Sequence, residues 1–432
     1  MGERPSLLLT TGAVALAFAT AVAATFQFDD FHLIVRNADV HSWSAFAASM
    51  PGIRPLTKAS LTFSWTLSAG PAGFVVVGVL CHAASAMLVL ALARRWLPAL
   101  APQCPRTGFA ALVAALAFAL HPAQTEAVTY IAGRSVVLSG ALYLAALLAF
   151  ERARIVASAV LFALALAARE TAWTLPFALM FLALARGAPW RAALSRSAPH
   201  FGVLAAAVLA MAASPVYRRL LAISLEQRSP LANLFAQVEA VAYHVTHPLL
   251  TLRVNFDPDV AVSAGADLRW WIAAASICAA IAFGATQLRR RPWLGFGVLW
   301  FFLHLLPTNG PLARYDLVND RQLYLAIIGP ALIAGVALAR LRPPRAGTVA
   351  AAALAVLLGV ATFVRNLDYA SEIALWDATV RASPGKARAW NNLGYAWQHA
   401  GDAERARAAY ERALAADPAY DKARANLNAL AR

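Results

Sequence analysis

Residues 72–93 read AGFVVVGVLCHAASAMLVLALA, and the paired Arg94 and Arg95 follow at once. An uncharged stretch of this length, wound at 1.5 Å per residue, covers roughly the 30 Å of a bilayer's hydrocarbon core. At that depth no water satisfies backbone N–H and C=O groups, so the stretch must be a helix. Apolar blocks of similar character recur at residues 6–26, 108–120, 135–150, 155–168, 171–185, 199–217, 268–288, 292–306, 324–339 and 347–364. The chain is 60% hydrophobic and 14% charged, against about 25% charged residues in a soluble domain. The expected fold is therefore all-α, a polytopic membrane protein of about eleven transmembrane helices.

The formal charge of +15 does not mark a nucleic-acid binder. The basic residues sit in short clusters between apolar blocks, without the interleaved aromatics of a nucleic-acid face. They set orientation instead. Alternate connections carry Arg94, Arg95 and Arg106, then Arg152 and Arg154, then Arg186, Arg191 and Arg196, then Arg289 to Arg291, then Arg340, Arg342 and Arg345. Placing them all in the cytoplasm puts the N-terminus inside and the C-terminus outside. Residues 1–364 then form a membrane domain with outer-side loops at 27–71, 121–134, 218–267 and 307–323, and residues 365–432 form an outer tail. The first block ends Ala21-Val22-Ala23-Ala24, a pattern that a signal peptidase accepts. Retention is expected, because an acidic pair begins immediately after the block. Cys81, Cys104 and Cys278 lie in or beside apolar blocks without metal-like spacing and are expected to be unpaired.

Two outer loops carry amphipathic signals. Trp43, Phe46 and Met50 recur at helical spacing. Ser229 and Pro230 read as an N-cap and first helical residue, ahead of the apolar face Leu231, Leu234, Phe235, Val238, Val241, Ala242 and Val245. Both helices are expected at the membrane surface. In the tail, Trp390, Leu393, Gly394, Trp397, Gly401, Ala406, Tyr410, Ala413 and Pro418 match one 34-residue tetratricopeptide repeat. Trp376 and Pro384 suggest the end of a degenerate repeat before it, and residues 420–431 a closing helix. So short an array is expected to lean on the membrane domain.

Chemistry-bearing residues gather at the outer boundaries of the blocks. Asp29 and Asp30 follow the first block. A carboxylate pair suits proton abstraction from a hydroxyl, because burial and a like charge raise one of the two pKa values; a solvated loop start is the plain alternative. On the same side lie Arg54 and Lys58, then His121, Gln124, Glu126 and Arg134, then Arg169 and Glu170, and then Arg321 and Tyr324. Ionisable groups at this depth usually face a cavity, and guanidinium groups grip phosphate bidentately. His244 and His247 have i, i+3 spacing but no third metal ligand in view. No Walker loop, dinucleotide fingerprint or Gly-x-Ser-x-Gly elbow is present.

The order of these motifs resembles the transmembrane and tetratricopeptide repeat-containing O-mannosyltransferases and their bacterial relatives, within the GT-C glycosyltransferases. The likeness rests on Phe28-Asp29-Asp30, residues 37–40 with Trp43, Arg54-Pro55-Leu56-Thr57, His121-Pro122, Thr125-Glu126-Ala127, Gly133-Arg134 and Arg169-Glu170. It continues through Phe256-Asp257-Pro258-Asp259-Val260, residues 299–307, Asp320-Arg321 and Leu323-Tyr324-Leu325. Arg169 stands where the family usually has lysine, and Asp320 where it has glutamate. The resemblance implies transfer of a sugar from a polyprenyl-phosphate-linked lipid donor to a hydroxyl of a protein or glycan acceptor, at the outer face of a bacterial inner membrane. It implies Asp29 as base, Asp30 as supporting acid, and Arg134, Arg169 and Arg321 at the phosphate; Arg54, His121, Glu126, Glu170 and Tyr324 complete the expected substrate-binding set. No cofactor is required and a divalent cation is optional. An envelope protein docked on the repeat is a further expected partner. The competing readings are an O-antigen or glycoprotein ligase and a non-catalytic membrane-anchored scaffold.

Overall fold

A computed structural model of the chain describes residues 2–260 and 267–430. Residues 1, 261–266 and 431–432, which fall in the expected membrane domain, second long outer loop and tail, lie outside the described residues. Among those described, every regular element is helical. Six helices are long and apolar enough to cross a membrane: Arg4–Ala23, Pro71–Leu100, Ile131–Glu151, Trp190–Ala213, Leu268–Arg290 and Pro344–Ala370. Thr107–Ala119 and Pro122–Val128, bent by 50° at their break, make a seventh as a pair. Shorter apolar helices, Ile155–Ala168, Glu170–Ala185, Pro292–Leu305 and Ile328–Arg340, occupy the remaining expected blocks. Only 6% of the apolar window in Leu268–Arg290 is buried; a surface of that kind needs lipid around it. The chain is a multi-pass membrane protein.

Several helix boundaries differ from expectation. The second helix runs Pro71–Leu100, past the expected end at Ala93, and takes in Arg94 and Arg95. The seventh block was expected to start at Pro199, but the helix runs Trp190–Ala213 with Pro199 inside it. It stops at Ser214 because Pro215 follows, and a residue before proline is pushed out of the helical region. The tenth helix begins at Ile328, not Tyr324. Asp320–Leu323 form a separate 3-10 turn, which is held by contacts described below.

Basic turns meet one another at one end of the bundle. Arg106 donates to the Pro344 carbonyl at 3.2 Å, Arg186 forks onto Glu151 at 2.8 Å, and Arg340 lies over the Trp293 ring. At the opposite end, Asn366 ties three elements together. Its amide donates to the Ala17 carbonyl (3.1 Å) and its Oδ1 accepts from Thr129 Oγ1 (2.6 Å). The first and last long helices are thus fastened to the turn that carries Glu126.

The expected loop helices form as Trp43–Ala48 and Pro230–His244. Ser42 Oγ accepts the Ala45 N–H and Ser229 Oγ accepts the Ala232 N–H, each satisfying a donor that the helix start would otherwise leave open. Two more helices, Pro55–Leu67 and Pro215–Gln227, were not anticipated.

The tail folds as Glu372–Ala382, Ala387–His399, Ala403–Ala416 and Asp421–Leu430. Gly394 lets the middle pair close: a Cβ there would lie 2.6 Å from the Tyr410 ring. The tail leans on the membrane domain, as expected. Trp376, 2% exposed, meets Phe28 and Phe256 edge-on at 5.4 Å each. Ser383 Oγ accepts from Asn255 Nδ2 (2.6 Å) and from the Asp259 N–H (2.9 Å).

Candidate active site

The two neighbouring aspartates have different environments. Asp30 is fully buried, its Oδ1 accepting the Ala132 N–H (2.7 Å) and its Oδ2 the Gln27 N–H (2.9 Å). It pins the loop after the first helix onto the 121–134 turn. Burial pushes its pKa up to about 8; the two N–H donors pull the other way, Asp29 adds to the rise and Arg321 opposes it. Asp29 is half-buried. Its N–H donates to Tyr130 Oη at 3.2 Å, while its carboxylate makes no hydrogen bond or ion pair among the described residues. Phe28, just before it, adopts φ +41°, a left-handed conformation that costs a non-glycine residue about 1–2 kcal/mol. Aromatic contacts to Phe256 and Trp376 hold Phe28 there.

Arg321 is the centre of the charge network. Its Nε lies 3.5 Å from Glu126 Oε1, its Nη2 3.6 Å from Asp316 Oδ2, and its guanidinium 5.7 Å from the centre of the Tyr130 ring. The Arg321 N–H also donates to Glu126 Oε2 at 3.2 Å. Burial works against the Arg321 charge, but Glu126, Tyr130, Asp316 and Asp29 outweigh it and raise the pKa. Asp320 is buried, with Oδ2 accepting the Asn255 N–H at 2.8 Å. Burial first, and then Glu126, drive its pKa well up. These backbone anchors on Glu126 and Asp320 explain why residues 320–323 leave the helix.

A second group of cations adjoins Arg321. Arg169 donates to Ser135 Oγ at 2.7 Å and feels the charges of Arg54, Arg314 and Arg321. Burial pushes Arg314 down to about 10, helped by Arg321 and Arg54. Arg54, itself left-handed at φ +48°, grips Glu170 through Nε (3.0 Å) and Nη2 (2.9 Å), and Glu170 also accepts from Tyr217 Oη at 2.9 Å. A narrow cavity of about 40 Å³ lies beside Arg169 and Arg321, with His304, Thr308 and Tyr324 among its walls.

Asp29, Asp30, Arg54, Glu126, Arg169, Glu170 and Arg321 therefore belong to one linked region. Three further expected residues have partners inside the fold. Arg134 is buried, donating to Ser64 Oγ (3.2 Å) and the Phe74 carbonyl (2.6 Å), with Asp30 near it. His121 caps its own turn, Nδ1 accepting the Ala123 N–H. Tyr324 lines the narrow cavity, but its hydroxyl pairs with His82 Nδ1 at 3.0 Å. Of the two spaced histidines, His244 pairs with Gln322 and His247 stacks on Tyr243. Among the described residues no group of three or more His, Cys, Asp or Glu side chains is placed to hold a metal ion.

The sequence reading did not single out Tyr130, Arg314, Asp316 or Arg388, whose guanidinium lies 2.8 Å from Asp316 Oδ1. Arg314 and Asp316 had a signal: with Asp320 and Arg321 they are the charged residues of the 307–323 loop in a chain where charge is scarce. Arg388 had none, since the repeat pattern leaves its position free.

Comparison with known proteins bears out the resemblance over part of the chain. Human protein O-mannosyl-transferase TMTC3 is 27% identical over 164 residues, 34% of this chain and 17% of the relative. Human protein O-mannosyl-transferase TMTC4 is 31% identical over 176 residues, 34% of this chain and 23% of the relative. Mouse protein O-mannosyl-transferase TMTC1 is 31% identical over 165 residues, 33% of this chain and 16% of the relative. The match thus spans less than a quarter of the length of each of these relatives. No family model matches the chain, and no solved structure matches it.

Proposed function

We propose that this protein is a membrane glycosyltransferase that moves a sugar from a polyprenyl-phosphate donor to a hydroxyl of a protein or glycan acceptor, with inversion, at the periplasmic face. The observation that carries the reading is the free carboxylate of Asp29 beside the Arg321 guanidinium, with Arg54, Arg169 and Arg314 close behind it. The partial similarity to proteins named O-mannosyl-transferases supports the same class.

In the reaction, the acceptor oxygen attacks the anomeric carbon and forms the new glycosidic bond. The bond from that carbon to the phosphate oxygen breaks, and its electron pair leaves with the polyprenyl phosphate. The acceptor proton goes to the Asp29 carboxylate, which must reach it directly or through one water. Arg321 and Arg169 stabilise the charge that grows on the departing phosphate. Asp30 holds the turn that aims Asp29. With the basic turns in the cytoplasm, the positive-inside rule supports a periplasmic position for this end of the bundle and for the tail.

Asp29→Asn tests the reading. The variant is expected to insert and fold like the native chain and to lose sugar transfer. Undiminished transfer would overturn the assignment and favour a scaffold. Labelling of single cysteines introduced into the tail, from outside intact cells, tests the sidedness; a tail protected from the reagent would reverse it.

A further inference from the structure

Arg388, at the start of helix Ala387–His399 in the tail, reaches into the outer loops. Its Nε and Nη2 each lie 2.6 Å from an Asp257 oxygen, and Nη2 is also 2.8 Å from Asp316 Oδ1. The other Asp316 oxygen faces Arg321 at 3.6 Å. Burial would raise the Asp316 pKa, and Arg388 and Arg321 together hold it low, so Asp316 carries a full negative charge. A charge-assisted N–H···O bond settles at about 2.7–2.9 Å. By that measure Asp316 is bonded to Arg388, whereas Arg321 is flanked by Asp316 and Glu126, at 3.6 and 3.5 Å, without being captured by either.

We propose that Arg388 is a positioning residue for Arg321: by holding Asp316 from the tail side, it keeps the Arg321 guanidinium available to a lipid phosphate at the outer-face site. Without Arg388, Asp316 loses its close cation in a half-buried setting. Its nearest replacement is Arg321, and a fork between the two would occupy the donors that a phosphate needs. The tail is then part of the phosphate site without touching the phosphate. The proposal rests on the transferase reading for the identity of the ligand.

The test uses the full chain in detergent micelles, with polyprenyl phosphate as the probe and affinity as the readout, measured separately from sugar transfer. Arg388→Gln is expected to weaken binding by about tenfold, the effect of losing one well-placed charge contact. Asp316→Asn in that background is expected to bring affinity back to within about threefold of the native chain, because the competing carboxylate is gone. In transfer assays the donor KM should move more than kcat. Unchanged binding in Arg388→Gln, or a loss that Asp316→Asn does not recover, would reduce Arg388 to a clasp for the tail and overturn the proposal. Should Arg388→Gln fail to fold, Asp316→Asn alone decides: it must bind polyprenyl phosphate at least as tightly as the native chain, and weaker binding overturns the proposal. A native chain that binds the lipid and shows this pattern, yet transfers no sugar, would sink the transferase reading and leave the positioning role standing. A native chain that does not bind the lipid sinks both.

Discussion

Replacing either of two adjacent aspartates by asparagine should give opposite phenotypes. Asp30 is fully buried and satisfies two backbone N–H groups, those of Gln27 and Ala132. Asparagine keeps one acceptor oxygen and turns an NH₂ toward the second N–H. One buried donor is left unpaired, at a cost of about 1–3 kcal/mol. Asp29 is half-buried with a carboxylate that makes no hydrogen bond or ion pair among the described residues, so Asp29→Asn should change stability by less than about 0.5 kcal/mol. A pH dependence separates them further. The Asp30 pKa lies at about 8 in the folded chain, above its ordinary 3.8. The folded chain therefore keeps a proton that the unfolded chain releases, and stability from this group is complete below about pH 4 and lost as pH rises toward 8. The slope is at most about 1.4 kcal/mol per pH unit. Thermal unfolding in detergent, followed by tryptophan fluorescence from pH 5 to pH 9, reads all of this. Asp30→Asn should melt a few degrees below the native chain and show a flatter decline with pH; Asp29→Asn should track the native curve. An Asp30→Asn variant as stable as the native chain, with the same pH slope, would refute the structural role given to Asp30.

Other consequences concern packing and the Arg54–Glu170 ion pair. Trp376→Ala removes a fully buried ring from between Phe28 and Phe256, which should cost about 3–5 kcal/mol and make the tail the first segment cut in limited proteolysis. Gly394→Leu drives a side chain into the Tyr410 ring, at about 1–3 kcal/mol; cleavage between residues 387 and 416 should rise while the membrane helices stay protected. Glu170→Gln loses the fork from Arg54 and weakens the bond from Tyr217. Both partners of the ion pair are partly exposed, so solvent screening limits the loss to about 1 kcal/mol or less, visible as a small drop in melting temperature that extra salt does not deepen.

The sequence by itself determined the membrane class and the positions of the apolar helices. Both follow from local quantities: the length of an uncharged run and the placing of arginine between runs. It also marked the acids and bases at the helix boundaries, because charge in so apolar a chain has few reasons to be there, and it found the tail helix pair from Gly394 and Tyr410. Only the tertiary structure told Asp29 from Asp30. Two neighbours with the same side chain differ because backbone donors at Gln27 and Ala132 reach one of them and not the other. Only it joined Arg388 to Asp257, 131 residues away, and through Asp316 to Arg321. It also paired Arg134 with Ser64 Oγ and the Phe74 carbonyl, and the Tyr324 hydroxyl with His82. Helix formation depends on neighbours in the chain and leaves its mark on the sequence. Which polar atom meets which across the bundle depends on how the helices pack, and no local pattern carries that information.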